Sequence, residues 1–77
     1  MIFKVTLAEA GNVKANIYNL KGEKVAEITD AYLSPGVYRS KWDGKNDNGK
    51  YVASGVYLFK LEQEGKRAKV KRFTVIK

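Results

Sequence analysis

Cysteine and histidine are both missing from the 77-residue sequence. Without cysteine, the chain can form neither a disulfide framework nor a thiolate zinc site. Without histidine, it lacks the commonest metal ligand and the commonest general base at neutral pH, so its serines have no obvious activating partner. These absences predict a protein that is not an enzyme and holds no cofactor.

Long apolar runs are missing as well. None approaches the ~20 residues that a membrane-spanning helix needs. The residues after Met1 alternate in polarity instead of forming the apolar core of a signal peptide. The length suits one domain, residues 1–77, and its 44% hydrophobic and 30% charged residues are typical of globular proteins. We therefore expect a monomeric domain without a membrane span.

Alternation of apolar and polar residues is the strongest pattern in the chain, and it predicts strands with one buried face. Turn residues such as Gly22 and Pro35-Gly36 separate these runs at short intervals, which is typical of a sandwich or a small barrel. Large aromatic and β-branched side chains share the predicted inner faces. The expected core consists of Phe3, Val5, Ile17, Val25, Tyr38, Trp42, Tyr57, Phe59, Phe73 and Val75.

Two segments break the alternation. Val25 and Ile28 lie three residues apart, and at the C-terminal end Val70 is out of phase with Phe73 and Val75. A β-bulge near Lys71-Arg72 would bring all the C-terminal apolar residues inward. A helical turn is the alternative, although neither segment has helix caps.

An ordered set of motifs is similar to a known family. The motifs are Ile17-Tyr18-Asn19-Leu20-Lys21-Gly22-Glu23-Lys24-Val25, Pro35-Gly36-Val37-Tyr38, Trp42-Asp43-Gly44, Val52-Ala53-Ser54-Gly55-Val56-Tyr57 and Phe73-Thr74-Val75-Ile76-Lys77. From about Val13 to Lys77 they resemble the immunoglobulin-like domain of bacterial flagellar hook-capping proteins. They are equally similar to the C-terminal modules of many secreted bacterial proteins, including the sorting domains of type IX secretion.

The resemblance implies an all-β fold, an immunoglobulin- or fibronectin-III-like antiparallel β-sandwich of six to seven short strands. It also implies a non-catalytic module at the C-terminal end of a secreted or cell-surface bacterial protein, acting as a spacer, an assembly module or a sorting signal. Its partner would be the parent polypeptide or another protein, bound through exposed edge strands. If Met1 is the true start and no export signal exists, the expected location is instead the cytoplasm.

A polar loop is the only weak candidate for a metal site. Asp43, Asn46, Asp47 and Asn48 carry oxygens of the kind that calcium prefers, but their spacing does not fit an EF-hand. The favoured interpretation is a loop whose Asp and Asn side chains bind its own backbone.

Acidic residues are missing from the C-terminal segment, where residues 66–77 contain six basic residues. The candidate anion-binding residues are Lys66, Arg67, Lys69, Lys71 and Arg72. The favoured interpretation is a solvated face whose lysines prevent a sheet edge from pairing with other chains. The alternative function is a small basic β protein that binds nucleic acid or another anionic surface.

Overall fold

The computed structural model describes residues 1–76, and the regular structure in that part of the chain is entirely β-strand. The strands are β1 Ile2–Leu7, β2 Gly11–Tyr18, β3 Lys24–Leu33, β4 Gly36–Lys41, β5 Gly55–Gln63 and β6 Lys69–Val75. The all-β prediction of six to seven strands is therefore confirmed. Lys77, which belongs to the last motif and to the basic segment, lies outside the described residues. Residues 1–76 offer no helix that could span a lipid bilayer.

The strands form two antiparallel sheets. One contains β1 and β4, and the other has the order β3-β2-β5-β6. The inner faces pack on each other, and the Phe3 ring of β1 stacks on the Phe59 ring of β5 with centroids 4.3 Å apart. This arrangement confirms the predicted sandwich.

The core lies between the sheets, and alternate residues of the strands contribute their side chains to it. Ile17 and Val13 of β2 are its most completely buried large side chains, because β2 lies inside the four-stranded sheet. Five of the expected core residues named above are also buried: Phe3, Val5, Trp42, Tyr57 and Phe59. Val75 is buried at the end of β6.

Three expected core residues are only half-buried. Tyr38 reaches out of the core because its hydroxyl donates a hydrogen bond to the Ser34 carbonyl, at 2.6 Å. Phe73 lies on the edge strand β6, so a neighbouring strand covers it on one side only. Val25 is an extra residue in a distorted part of β3.

The β2–β3 hairpin closes where the sequence predicts a tight turn. The Asn19 side-chain oxygen accepts hydrogen bonds from the backbone N–H groups of Lys21 and Glu23, both at 3.0 Å. Gly22 has φ +86°, a left-handed conformation in which a β-carbon would be strained. The motif around Asn19 and Gly22 therefore builds a turn, and that prediction is confirmed.

The irregular spacing of Val25 and Ile28 comes from two β-bulges in β3. Ala15 and Asn16 of β2 are adjacent, yet they face Thr29 and Glu27, so Ile28 is an extra residue. Val25 is the extra residue at the second shift, between the partners of Ile17 and Tyr18. Each bulge changes which side of the sheet the following residue faces, so residues three apart can both lie partly inward.

The predicted bulge near Lys71-Arg72 is wrong. The β5–β6 register runs without a shift from Gly55 opposite Val75 to Leu61 opposite Lys69. With strict period two, Val70 faces outward and is 58% exposed. Lys69 and Lys71 therefore point to the same side of the sheet as Phe73 and Val75. Long lysine side chains tolerate this position because their apolar stems can lie on the core rim while the ammonium groups reach water.

Candidate interaction site

Trp42 fixes the loop that follows β4. Its ring is buried and meets the rings of Tyr57 and Phe73 edge-on, with centroids 6.2 and 5.7 Å away. The indole N–H donates a hydrogen bond of 2.9 Å to the Lys45 carbonyl, which satisfies the ring's polar atom. The loop is therefore held to the end of the core at a defined position.

The loop residues Asp43 and Asn46 bind backbone groups of the loop itself. The Asp43 carboxylate accepts from the Lys45 N–H at 2.9 Å. The Asn46 side-chain oxygen accepts from the N–H groups of Asn48 and Lys50, both at 3.0 Å. These are the short-range contacts expected of an Asp- and Asn-rich turn.

Asp47 connects the loop to the outer edge of β3. Its backbone N–H donates to the Val25 carbonyl at 3.1 Å, and its carboxylate accepts from the Glu27 N–H at 3.0 Å. Three of the four candidate calcium ligands thus have a side-chain oxygen engaged by a backbone donor. Among the described residues there is also no cluster of three or more Asp, Glu, His or Cys side chains suited to a metal. The loop geometry supports a structural turn that covers part of a strand edge.

The candidate anion-binding residues do not share one face. Lys69 and Lys71 lie on the inner side of β6, opposite Leu61 and Phe59, while Arg72 lies on the outer side opposite Leu58. Arg72 is therefore separated from the two lysines by the sheet itself. The five cations form no single flat surface.

Lys66 and Arg67 lie in the connection before β6, on the side where β1 ends. With Lys69 they line a hollow of about 300 Å³ that also includes Leu7 and Leu61. The Lys66 ammonium lies 3.3 Å from the Glu9 carboxylate. Both partners are substantially exposed, so we expect this pair to contribute little to stability.

Sequence reasoning did not identify the cleft between β1 and β6. The cleft has a volume of about 220 Å³, and its apolar lining is contributed by Phe3 and Val5 of β1 and by Phe59 and Leu61 of β5. Lys69 and Lys71 form its charged rim. The sequence shows that Lys69, Lys71, Phe73 and Val75 are spaced two residues apart, so in a regular strand they share one face. The sequence does not indicate that β1 lies across from Lys69 and Lys71.

The two packed antiparallel sheets place the molecule in the class of immunoglobulin-like β-sandwich domains. More particularly, the sequence model of the family "FlgD Ig-like domain" matches residues 2–67, and the chain belongs to that family. No curated protein matches the chain.

The extent of the family match differs from the resemblance seen in the sequence. The resemblance began at about Val13, whereas the match also includes β1. The match ends at residue 67, so β6 and its lysines lie beyond it.

Proposed function

We propose that this domain is a non-catalytic structural module that binds other proteins during the assembly of a flagellar hook. Membership of the FlgD Ig-like family is the observation that carries the proposal, because domains of that family are structural and assembly modules. In this role the domain works outside the cell or at its surface, as part of a larger exported protein.

The architecture supports a mechanical role. The aromatic cluster of Phe3, Trp42, Tyr57, Phe59 and Phe73 joins the two sheets through stacked and edge-on ring contacts. Such a core resists relative sliding of the sheets, because ring pairs hold preferred geometries as well as burying apolar area. A rigid body of this kind transmits force and presents its surfaces in fixed positions.

Edge strands supply the contact surface in this proposal. Unpaired backbone donors and acceptors on an edge strand can bind an extended segment of another protein. In the described residues, β1 and β4 pair only with each other and β6 pairs only with β5, so β1, β4 and β6 each have one unpaired side.

The proposal is tested by deleting the segment for residues 1–77 from the gene in its source organism. Hooks and filaments are then counted by electron microscopy, and motility is measured in soft agar. We expect hook assembly to fail and to be restored by the complete gene. Normal hooks and motility in the deletion strain would contradict the proposal.

A matched pair of substitutions shows whether failure of hook assembly comes from loss of the domain's fold or from absence of the protein. Trp42→Ala removes the buried ring at the loop anchor and should reproduce the deletion. Lys24→Gln changes an exposed side chain and should leave assembly intact. Immunoblots of both strains establish that each protein is produced.

A further inference from the structure

The free edge of β6 is an uninterrupted edge to which another strand can add. Its pairing with β5 shows no register shift along the whole strand. In contrast to β3, the β6 edge has no bulge, and no loop of the described residues bonds to it. Edge strands that remain straight and uncovered are the ones that accept added strands.

The cleft beside this edge has an apolar floor. Phe3 and Val5 of β1 form one side, and Phe59 and Leu61 of β5 form the other. Leu61 is only half-buried, so the domain's own residues do not fully cover that floor. Inward side chains of a strand added to β6 would enter this cleft, because successive residues of a strand point to opposite faces.

The rim of the cleft is positively charged. Lys69 and Lys71 face inward from β6, and neither forms an ion pair with a described residue. Lys4 also lines the cleft, and Lys66 and Arg67 extend the positive charge towards the neighbouring hollow. The nearby acid Glu9 already interacts with Lys66. The site therefore complements negative charge.

We propose that the cleft between β1 and β6 binds an acidic, extended segment of a partner protein, which adds to β6 as a further strand. Inward carboxylates of that segment lie beside Lys69 and Lys71, and an inward apolar side chain lies beside Phe73. Opposite charges on directly facing positions of neighbouring strands stabilise the pairing. The inference rests on the proposed function in that the partner is another protein of the same assembly.

A second copy of this chain does not fit the same site. Antiparallel pairing of two β6 edges along most of their length would place inward lysines of the two strands at facing or diagonal positions, where like charges repel. The same lysines thus reject the domain's own edge and select an acidic strand. Selection of this kind combines attraction for one partner with repulsion of another.

The test uses the ¹⁵N-labelled domain and a peptide in which Glu, Glu and Leu alternate with Thr, Ac-TETETLT-amide, together with its reversed sequence. We expect saturable NMR shifts for amides of β6 and β1 with at least one direction, with a Kd below about 1 mM. Peptides with Lys in place of Glu should not bind. Two N-methylated forms of each peptide are compared, one for each alternating set of backbone nitrogens. One form should fail to bind, because its methyl groups lie on the peptide edge that pairs with β6.

Paired charge variants establish where the peptide binds. The double variant Lys69→Glu and Lys71→Glu should weaken binding at least about tenfold. The control with Lys21→Glu and Lys24→Glu changes the same total charge at exposed positions in the β2–β3 turn and at the start of β3, and it should keep most of the affinity. Dispersed NMR spectra of both variants show that the fold is retained.

Four outcomes would overturn the proposal. They are the absence of saturable binding, shifts centred on Arg72 and the outer face, undiminished binding of both N-methylated forms, and equal displacement of the peptide by an oligothymidylate. The last would identify a general polyanion surface. Hook assembly that fails on deletion of the domain, with no peptide binding, would reject the cleft and retain the structural role. Peptide binding by the domain, together with normal hooks in the deletion strain, would retain the cleft as a binding site and reject the role in hook assembly.

Discussion

The four-stranded sheet ends in two edges that are protected in different ways. The β3 edge is interrupted by bulges at Val25 and Ile28, and Asp47 forms backbone contacts with part of it. The β6 edge has no bulge and carries Lys69 and Lys71 on its inner side. Backbone distortion and a covering loop hinder an added strand at this part of β3 whatever its charge, whereas the lysines of β6 disfavour only positively charged strands. The comparison indicates that β3 is closed and that β6 is selectively open.

The largest expected effect comes from removing the anchor of the loop at the closed edge. Trp42→Ala should lower the free energy of unfolding by about 3–5 kcal/mol, because it leaves a cavity among buried rings. The measurement is urea unfolding followed by far-UV circular dichroism, with Val37→Ala as an exposed control. A loss below about 1 kcal/mol would mean that the ring contributes little to the core.

The next largest loss of stability is expected from a substitution of Gly55, the first residue of β5. Its φ of +156° is a backbone conformation that residues with a side chain rarely adopt. A β-carbon at this position would nevertheless touch no other atom within 4 Å. Gly55→Val should therefore cost roughly 1–3 kcal/mol through backbone strain alone. Thermal unfolding of this variant is compared with Ala53→Val at an exposed neighbouring position. Equal melting temperatures for the two variants would contradict the strain argument.

Asp47→Ala opens the closed edge directly. Loss of the acceptor for the Glu27 N–H should cost about 1 kcal/mol and accelerate hydrogen exchange at that amide. Asp47→Asn keeps an oxygen acceptor and should retain most of the stability. If alanine leaves exchange at Glu27 unchanged, Asp47 does not close the edge.

The smallest change in stability is expected from substitutions at the β6 edge. These substitutions should instead change the self-association of the domain. Lys69→Val combined with Lys71→Val removes the charges that repel a second copy, so the domain should self-associate as its concentration rises. Sedimentation velocity measures this. Lys24→Val on β3 is the matched control and should remain monomeric. Self-association of the control alone would reverse the comparison of the two edges.

Much of the fold follows from local patterns in the sequence. Alternating residues indicate most of the strands, and Gly22 indicates the turn between β2 and β3. Each of these signals acts over a few residues, so one sequence is enough to show it. The resemblance to type IX sorting domains stays a prediction.

The position of the bulges and the cleft depends on contacts between distant segments. Breaks in alternation occur in both β3 and β6, but only the registers with β2 and β5 show that the bulges belong to β3. The cleft joins Phe3 to Lys69 and Lys71, which are far apart in the chain. Which strands become edges is a property of the topology, and the sequence pattern of one strand does not contain it.

Amide hydrogen exchange of the free ¹⁵N-labelled domain tests the difference between the two edges most directly. We predict that alternate amides of Lys69–Val75 exchange rapidly, because every second N–H of an antiparallel edge strand is unpaired. The Glu27 amide at the β3 edge should be protected by Asp47. Protection of every β6 amide, or rapid exchange at Glu27, would contradict the account of one closed and one open edge.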